Sequence, residues 1–110
     1  ACNNFAFFNQ IEKKEPPYRC GAGGPSPART KAELMMYLRE SFAYAGRVLR
    51  TMTSASALEP AGGPYGGMST RLGLATLAVW HASDHYGQLV IYLRMNGIVP
   101  PASQRQSRPQ

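Results

Sequence analysis

The sequence holds two histidines, and both fall in one apolar stretch, Leu72–Gly97 (LGLATLAVWHASDHYGQLVIYLRMNG). A helical rise of about 1.5 Å per residue makes this stretch roughly 39 Å long and stacks positions four apart on one face, so His81 and His85 point the same way. Two imidazoles so placed can bring ring nitrogens to one divalent metal at about 2.0 to 2.1 Å. The spacing serves equally well for two packing imidazoles, each hydrogen-bonded to a neighbouring helix, and the Glu that comes after the first His of the zinc-protease signature is replaced by Ala82. Leu74, Leu77, Ala78, His81, His85, Leu89 and Tyr92 trace a continuous stripe, which predicts that the histidines face an apolar interior. Burying two unpartnered imidazoles is costly, and a shared metal satisfies both. Asp84 and Tyr86 flank His85 and are the candidate catalytic groups. Asp84 can orient a ligand or handle protons, and it can as readily be a solvated carboxylate or the partner of an Arg.

The elements that must position this pair are helical. Phe5, Phe8 and Ile11, with Phe7 beside them, give Ala1–Lys14 the pattern of a short amphipathic helix or the end of a longer one. Glu15–Pro27 (EPPYRCGAGGPSP) is too rich in Pro and Gly for a helix or central strand, and its length makes it a candidate lid or site rim. Thr30 and Glu33 form a capping-box pattern for a second helix running to about Met52, with Leu34, Leu38, Phe42, Ala45, Val48, Leu49 and Met52 as its inward stripe. Thr53–Gly67, with PAGGPYGG, reads as a turn-rich connector. Ser69 or Thr70 can then cap the histidine helix, Gly97 sits where a left-handed C-terminal cap belongs, and Pro100 and Pro101 stop the helix from resuming. The tail after Ser103 has no apolar periodicity and reads as disordered.

No segment alternates as a strand does, so the reading is all-α, an antiparallel bundle over residues 1–103 as a single domain with a disordered tail, 104–110. The histidine helix is apolar on more faces than two neighbours can cover, so either an upstream helix or a second chain, as in a homodimer, must cover the rest. Apolar residues at 44% support one core, and 110 residues leave no room for two. Twelve Lys and Arg against six Asp and Glu give +6, but the charge is scattered and lacks interleaved aromatics, which argues against nucleic acid. Asp84, Gln88 and Arg94 interrupt the apolar run and argue against a membrane span. Cys2 and Cys20 are too few for a zinc ribbon, and one bridge between them stays open. The chain opens inside a patterned segment without an initiator Met, which points to an upstream piece. The cytoplasm is the favoured compartment, with export left open.

Trp80–Ser103 (WHASDHYGQLVIYLRMNGIVPPAS) resembles the end of the DinB/YfiT-like metalloenzyme family, in the branch whose last helix carries H-x-x-[ED]-H-Y-G, then Y-[LM]-R and G-[IL]-V-P-P-[AS]-S. His81, Asp84, His85, Tyr86, Gly87, Tyr92, Leu93, Arg94, Gly97, Val99, Pro100, Pro101 and Ser103 match. Thr30–Ala45 resembles that branch's middle helix. The resemblance implies a four-helix bundle with its first helix incomplete here, and a divalent metal (zinc, nickel or manganese) held by three histidines, two of them corresponding to His81 and His85. The third belongs to a stretch resembling H-x-x-x-A-x-N-x-F, of which ACNNFAFF matches only the part after the histidine. The sequence as given therefore has two ligands, and metal binding is weak or absent unless the missing residue, water, Cys2 or another chain completes the site.

Two function classes are compatible with these residues. The first is a metal-dependent enzyme acting on a small-molecule substrate, as resemblance to thiol-dependent S-transferases and isomerases implies, with a low-molecular-weight thiol as co-substrate or a metal-polarised water for hydrolysis. In it, GAGGPSP and PAGGPYGG would shape the mouth. The second is a non-catalytic bundle for dimerisation or stress-response binding, with structural histidines.

Overall fold

The computed structural model describes residues 1–15, 28–63 and 67–104. Helices dominate: α1 (Cys2–Glu12), α2 (Lys31–Arg50), α3 (Ser54–Ala57), α4 (Arg71–Met95) and α5 (Pro101–Gln104), with strands β1 (Pro60–Gly62) and β2 (Met68–Thr70) between α3 and α4. The chain divides into two compact units, Ala1–Ala78 and Val79–Gln110. No helix among the described residues is long and apolar enough to cross a membrane.

In the first unit α1 supplies Phe5, Phe7, Phe8 and Ile11 to the core, so its whole aromatic cluster is buried. The helix ends as Lys13 turns left-handed (φ 57°) and its N–H reaches the Asn9 carbonyl. The capping box of α2 forms as the sequence predicts. Glu33 N–H donates to Thr30 Oγ1 (3.2 Å), and the Glu33 carboxylate accepts from the N–H groups of Thr30 (2.8 Å) and Arg29 (2.7 Å). These bonds hold the Glu33 carboxyl below its usual range.

The face α2 buries agrees with the expected one at Ala45 and Val48, which are buried, and at Met52, which packs against the core, and differs from it elsewhere. Leu34, Leu38, Phe42 and Leu49 are exposed, and Tyr37, Ser41, Tyr44, Ala45 and Val48 point into the core. Aromatic packing and polar satisfaction decide the rotation. Phe5 lies 5.5 Å from both Tyr37 and Tyr44, and buried Asn4 donates to Ser41 Oγ (3.3 Å), whose hydroxyl donates to the Leu38 carbonyl (2.8 Å). Hydropathy ranks Leu above Tyr and Ser, yet a tyrosine whose hydroxyl has a partner buries more ring area at little polar cost.

The connector after α2 is more ordered than its composition suggests, and strands appear where none is expected. Thr53 caps α3 through a second capping box with Ser56. Strands β1 and β2 then pair antiparallel, with Pro60 opposite Thr70 and Gly62 opposite Met68. Three residues per strand are too few to show alternation, and only Ala61 is buried. Where the pair closes, a Cβ on Gly63 would lie 2.5 Å from the Gly67 carbonyl oxygen, so only glycine fits.

Thr70 leads directly into α4 and caps it, its Oγ1 accepting from Gly73 N–H at 3.0 Å. Arg71 anchors the start of this helix: Nη2 donates to the Ile11 carbonyl (3.1 Å), Nη1 pairs with Glu59 (3.2 Å) and its N–H donates to the Glu59 carbonyl (3.1 Å). A cation on the last turn of α1 also complements that helix's dipole. Leu74, Ala75 and Ala78 complete the core of the first unit.

In the second unit α4 ends in the expected left-handed cap. Gly97 has φ +70°, Gly97 N–H donates to Arg94 O (3.0 Å) and Ile98 N–H to Leu93 O (2.9 Å), the paired bonds of a Schellman motif. Helix α4 ends at its Gly97 cap, before either proline, and the expectation that the prolines stop a helix from resuming is corrected: Pro101 opens α5, since the first helical position needs no N–H. Gln104, expected in the tail, is thus helical. Residues 105–110 and most of Glu15–Pro27, the expected lid with Cys20 in it, lie outside the described residues.

Candidate metal centre

One turn of α4 sets the pair. The Nε2 atoms of His81 and His85 lie 3.1 Å apart, with ring centroids at 4.5 Å and planes at 86°. If one Nε2 carries its proton, the contact is a hydrogen bond; with both protons on Nδ1, two lone pairs occupy neighbouring positions. At metal–nitrogen distances of about 2.05 Å, a 3.1 Å separation corresponds to a nitrogen–metal–nitrogen angle of about 98°, between octahedral and tetrahedral values. The pair therefore fits two positions of a divalent coordination shell.

The surroundings differ from the expected apolar interior. The stripe that begins with buried Leu74 and Ala78 does not stay buried: His81 is half-buried, and His85, Leu89 and Tyr92 are exposed. The histidines sit where burial ends, because the core cluster takes nothing from α4 beyond Ala78. Burial, then the neighbouring His85 charge, push the His81 pKa below 6.5, with Asp84 opposing. This direction leaves the imidazole neutral, with its lone pair available, to lower pH than an ordinary histidine.

Asp84 is exposed, and its Oδ2 accepts from Gln88 Nε2 at 2.8 Å, one turn on. Its side chain leaves the helix about 100° round from that of His85. Tyr86 is likewise exposed. Cys2 is disulfide-bonded, so its sulfur is not a thiolate donor and does not complete the shell. Among the described residues no group of three or more His, Cys, Asp and Glu side chains could hold a metal.

Of the loops expected at the mouth of the site, residues 21–27 and 64–66 lie outside the described residues. Pro60, Ala61 and Gly62 face a groove of about 510 Å³ in the first unit, shared with Asn9, Gln10 and Lys13 at the end of α1. Arg71 carries no signal in the sequence: its isolated position before an apolar run gives no sign that it ties α1 to α4.

Residues 1–89 match the DinB superfamily. The chain belongs to that superfamily. The match takes in α1, α2 and the part of α4 that carries His81, Asp84, His85 and Tyr86, and it ends before the Arg94–Ser103 segment. No curated protein and no solved structure matches the sequence.

Proposed function

We propose that this DinB-superfamily chain is a divalent-metal protein whose ion is held by His81 and His85, and that it serves a metal-dependent transferase or hydrolase reaction on a small molecule. The observation that carries the reading is the 3.1 Å approach of the two Nε2 atoms on consecutive turns of one helix. A four-helix arrangement and a low-molecular-weight thiol co-substrate belong to the same reading.

A divalent ion at this position supplies acidity, lowering the pKa of a bound water or thiol so that a nucleophile exists near neutral pH. The chain's own residues do the rest. His81 offers a neutral imidazole because burial disfavours its protonated form. His85, exposed one turn later, leaves room beside the pair for a small molecule. Asp84, held by Gln88, places a negative charge next to the pair and is the proton-handling candidate on geometry; Tyr86, exposed beside His85, is the second.

The test is metal analysis of the chain after exposure to zinc, nickel or manganese and desalting, coupled to a screen of thiols with ester and epoxide substrates. The reading predicts a retained ion, its loss in the double variant H81A/H85A, and turnover that depends on the ion. Retention of an ion without turnover by any substrate class would favour a non-catalytic binding protein instead. No retained metal with the wild-type chain would sink the metal reading.

A further inference from the structure

We infer that the groove between the end of α1 and strand β1 is a second binding site, for a short peptide with free termini whose ammonium meets acceptors on α1 and whose carboxylate meets Lys13 and Lys14. The groove lies wholly in the first unit and uses neither histidine, so it is independent of the metal reading.

A volume of about 510 Å³ suits a small organic molecule. Asn9 lines this groove, and its Oδ1 is shielded from solvent without a hydrogen-bond partner. A buried acceptor left unpaired is costly, and a donor arriving in the groove can meet it after a small turn of the carboxamide about χ2. Gln10 supplies a second carbonyl acceptor. Its Oε1 lies so close over Gly62 that a Cβ on that residue would come within 2.7 Å of it. Both side chains stand in the last turn of α1, where the helix dipole and the end carbonyls favour positive charge. Glu15, also on the groove, adds a carboxylate. These groups together select an ammonium over a carboxylate or phosphate at this end.

The opposite charge stands further along the chain. Lys13 has no carboxylate partner among the described residues, and Lys14 meets Glu12 only at 3.8 Å. Two adjacent ammonium groups suit a carboxylate. Four residues separate Asn9 from Lys13, about 6 Å at the helical rise. That span exceeds a single α-amino acid and matches about two extended residues at about 3.3–3.6 Å each, so a dipeptide fits better than a free amino acid.

Titration of the full chain with L-alanyl-L-alanine, followed by nitrogen–proton correlation spectra, tests this. The expected result is saturable shifts at Asn9, Gln10, Lys13 and Gly62. The N-acetylated dipeptide and the dipeptide amide, which each lack one charge, should bind about tenfold more weakly or worse. Asn9→Ala and Lys13→Asn should each weaken binding to a similar extent; Asn tolerates the left-handed turn that Lys13 occupies, and circular dichroism verifies that both variants keep their helix content. No saturable shift at these residues would overturn the site. Equal binding of the acetylated dipeptide would overturn recognition of the ammonium and leave only an anion on surface lysines. Unchanged affinity in Asn9→Ala would likewise contradict the proposal, because the unpaired acceptor would then take no part.

Discussion

Tyr44 shows how much one side chain can carry in so small a core. Its ring meets Phe5, its hydroxyl donates to Glu12 Oε2 at 3.1 Å, and the Arg47 guanidinium lies 5.3 Å from its centroid. Burial, then the hydrogen bond and charge of Glu12, push its pKa up to about 12. The folded state thus keeps a proton that the unfolded chain releases near pH 10. The associated stability is complete below pH 10 and is lost as pH rises through about 12. Burial also raises the Tyr37 pKa, so spectrophotometric titration should show these two tyrosines ionising after the exposed ones, together with loss of helicity, and Tyr44→Phe should remove one tyrosine from the late phase. If the late phase keeps its full amplitude in Tyr44→Phe, the assignment is wrong. The same residue explains a failure of hydropathy reading: a Tyr–Ser–Tyr face ranks below a Leu–Phe face until the partners Asn4, Phe5 and Glu12 are known, and those come from another helix.

Among the elements, ends are far more legible than faces. Thr30 with Glu33, Thr70 and Gly97 all act as their types and spacing predict, because caps are local chemistry set by a few neighbouring residues. The β1–β2 pair and the anchoring of α4 by Arg71 depend on residues far apart in sequence, and no local pattern announces them. Lys13 adopts φ 57° without being glycine, so Lys13→Gly should raise the stability of the first unit by about 1 kcal/mol in urea unfolding; a loss of similar size would show that the Lys side chain matters more than its backbone. Arg71→Ala should lower stability by about 1–3 kcal/mol, since the Ile11 carbonyl and Glu59 both lose a charged donor, and an unchanged midpoint would mean that solvent replaces them fully.

Across the whole molecule the two units differ in how they hold their helices. The first has a shared core of aromatic and aliphatic residues, whereas α4 beyond Ala78 keeps Val79, Trp80, Leu89, Ile91, Tyr92 and Met95 exposed. A helix with so little tertiary burial has only its propensity and caps to stabilise it, which is marginal at this length. Amide exchange should therefore be fast from Val79 to Met95 and slow in α1 and in α2's buried face. Zinc should slow it most around His81–His85, and equal protection along all of α4 without metal would contradict this division. The superfamily is legible from the histidine-bearing segment and α2, because the residues that carry it are concentrated there. The environment of the histidines is not, since apolar periodicity shows which side of a helix is suited to burial but not what covers it.

The claim that His81 and His85 act together as metal ligands is tested most directly by a zinc competition titration comparing the chain with H81A/H85A at neutral pH. Removing both imidazoles should weaken zinc binding by about 100-fold or more while helicity is retained. Equal zinc affinity in the two proteins would contradict the claim.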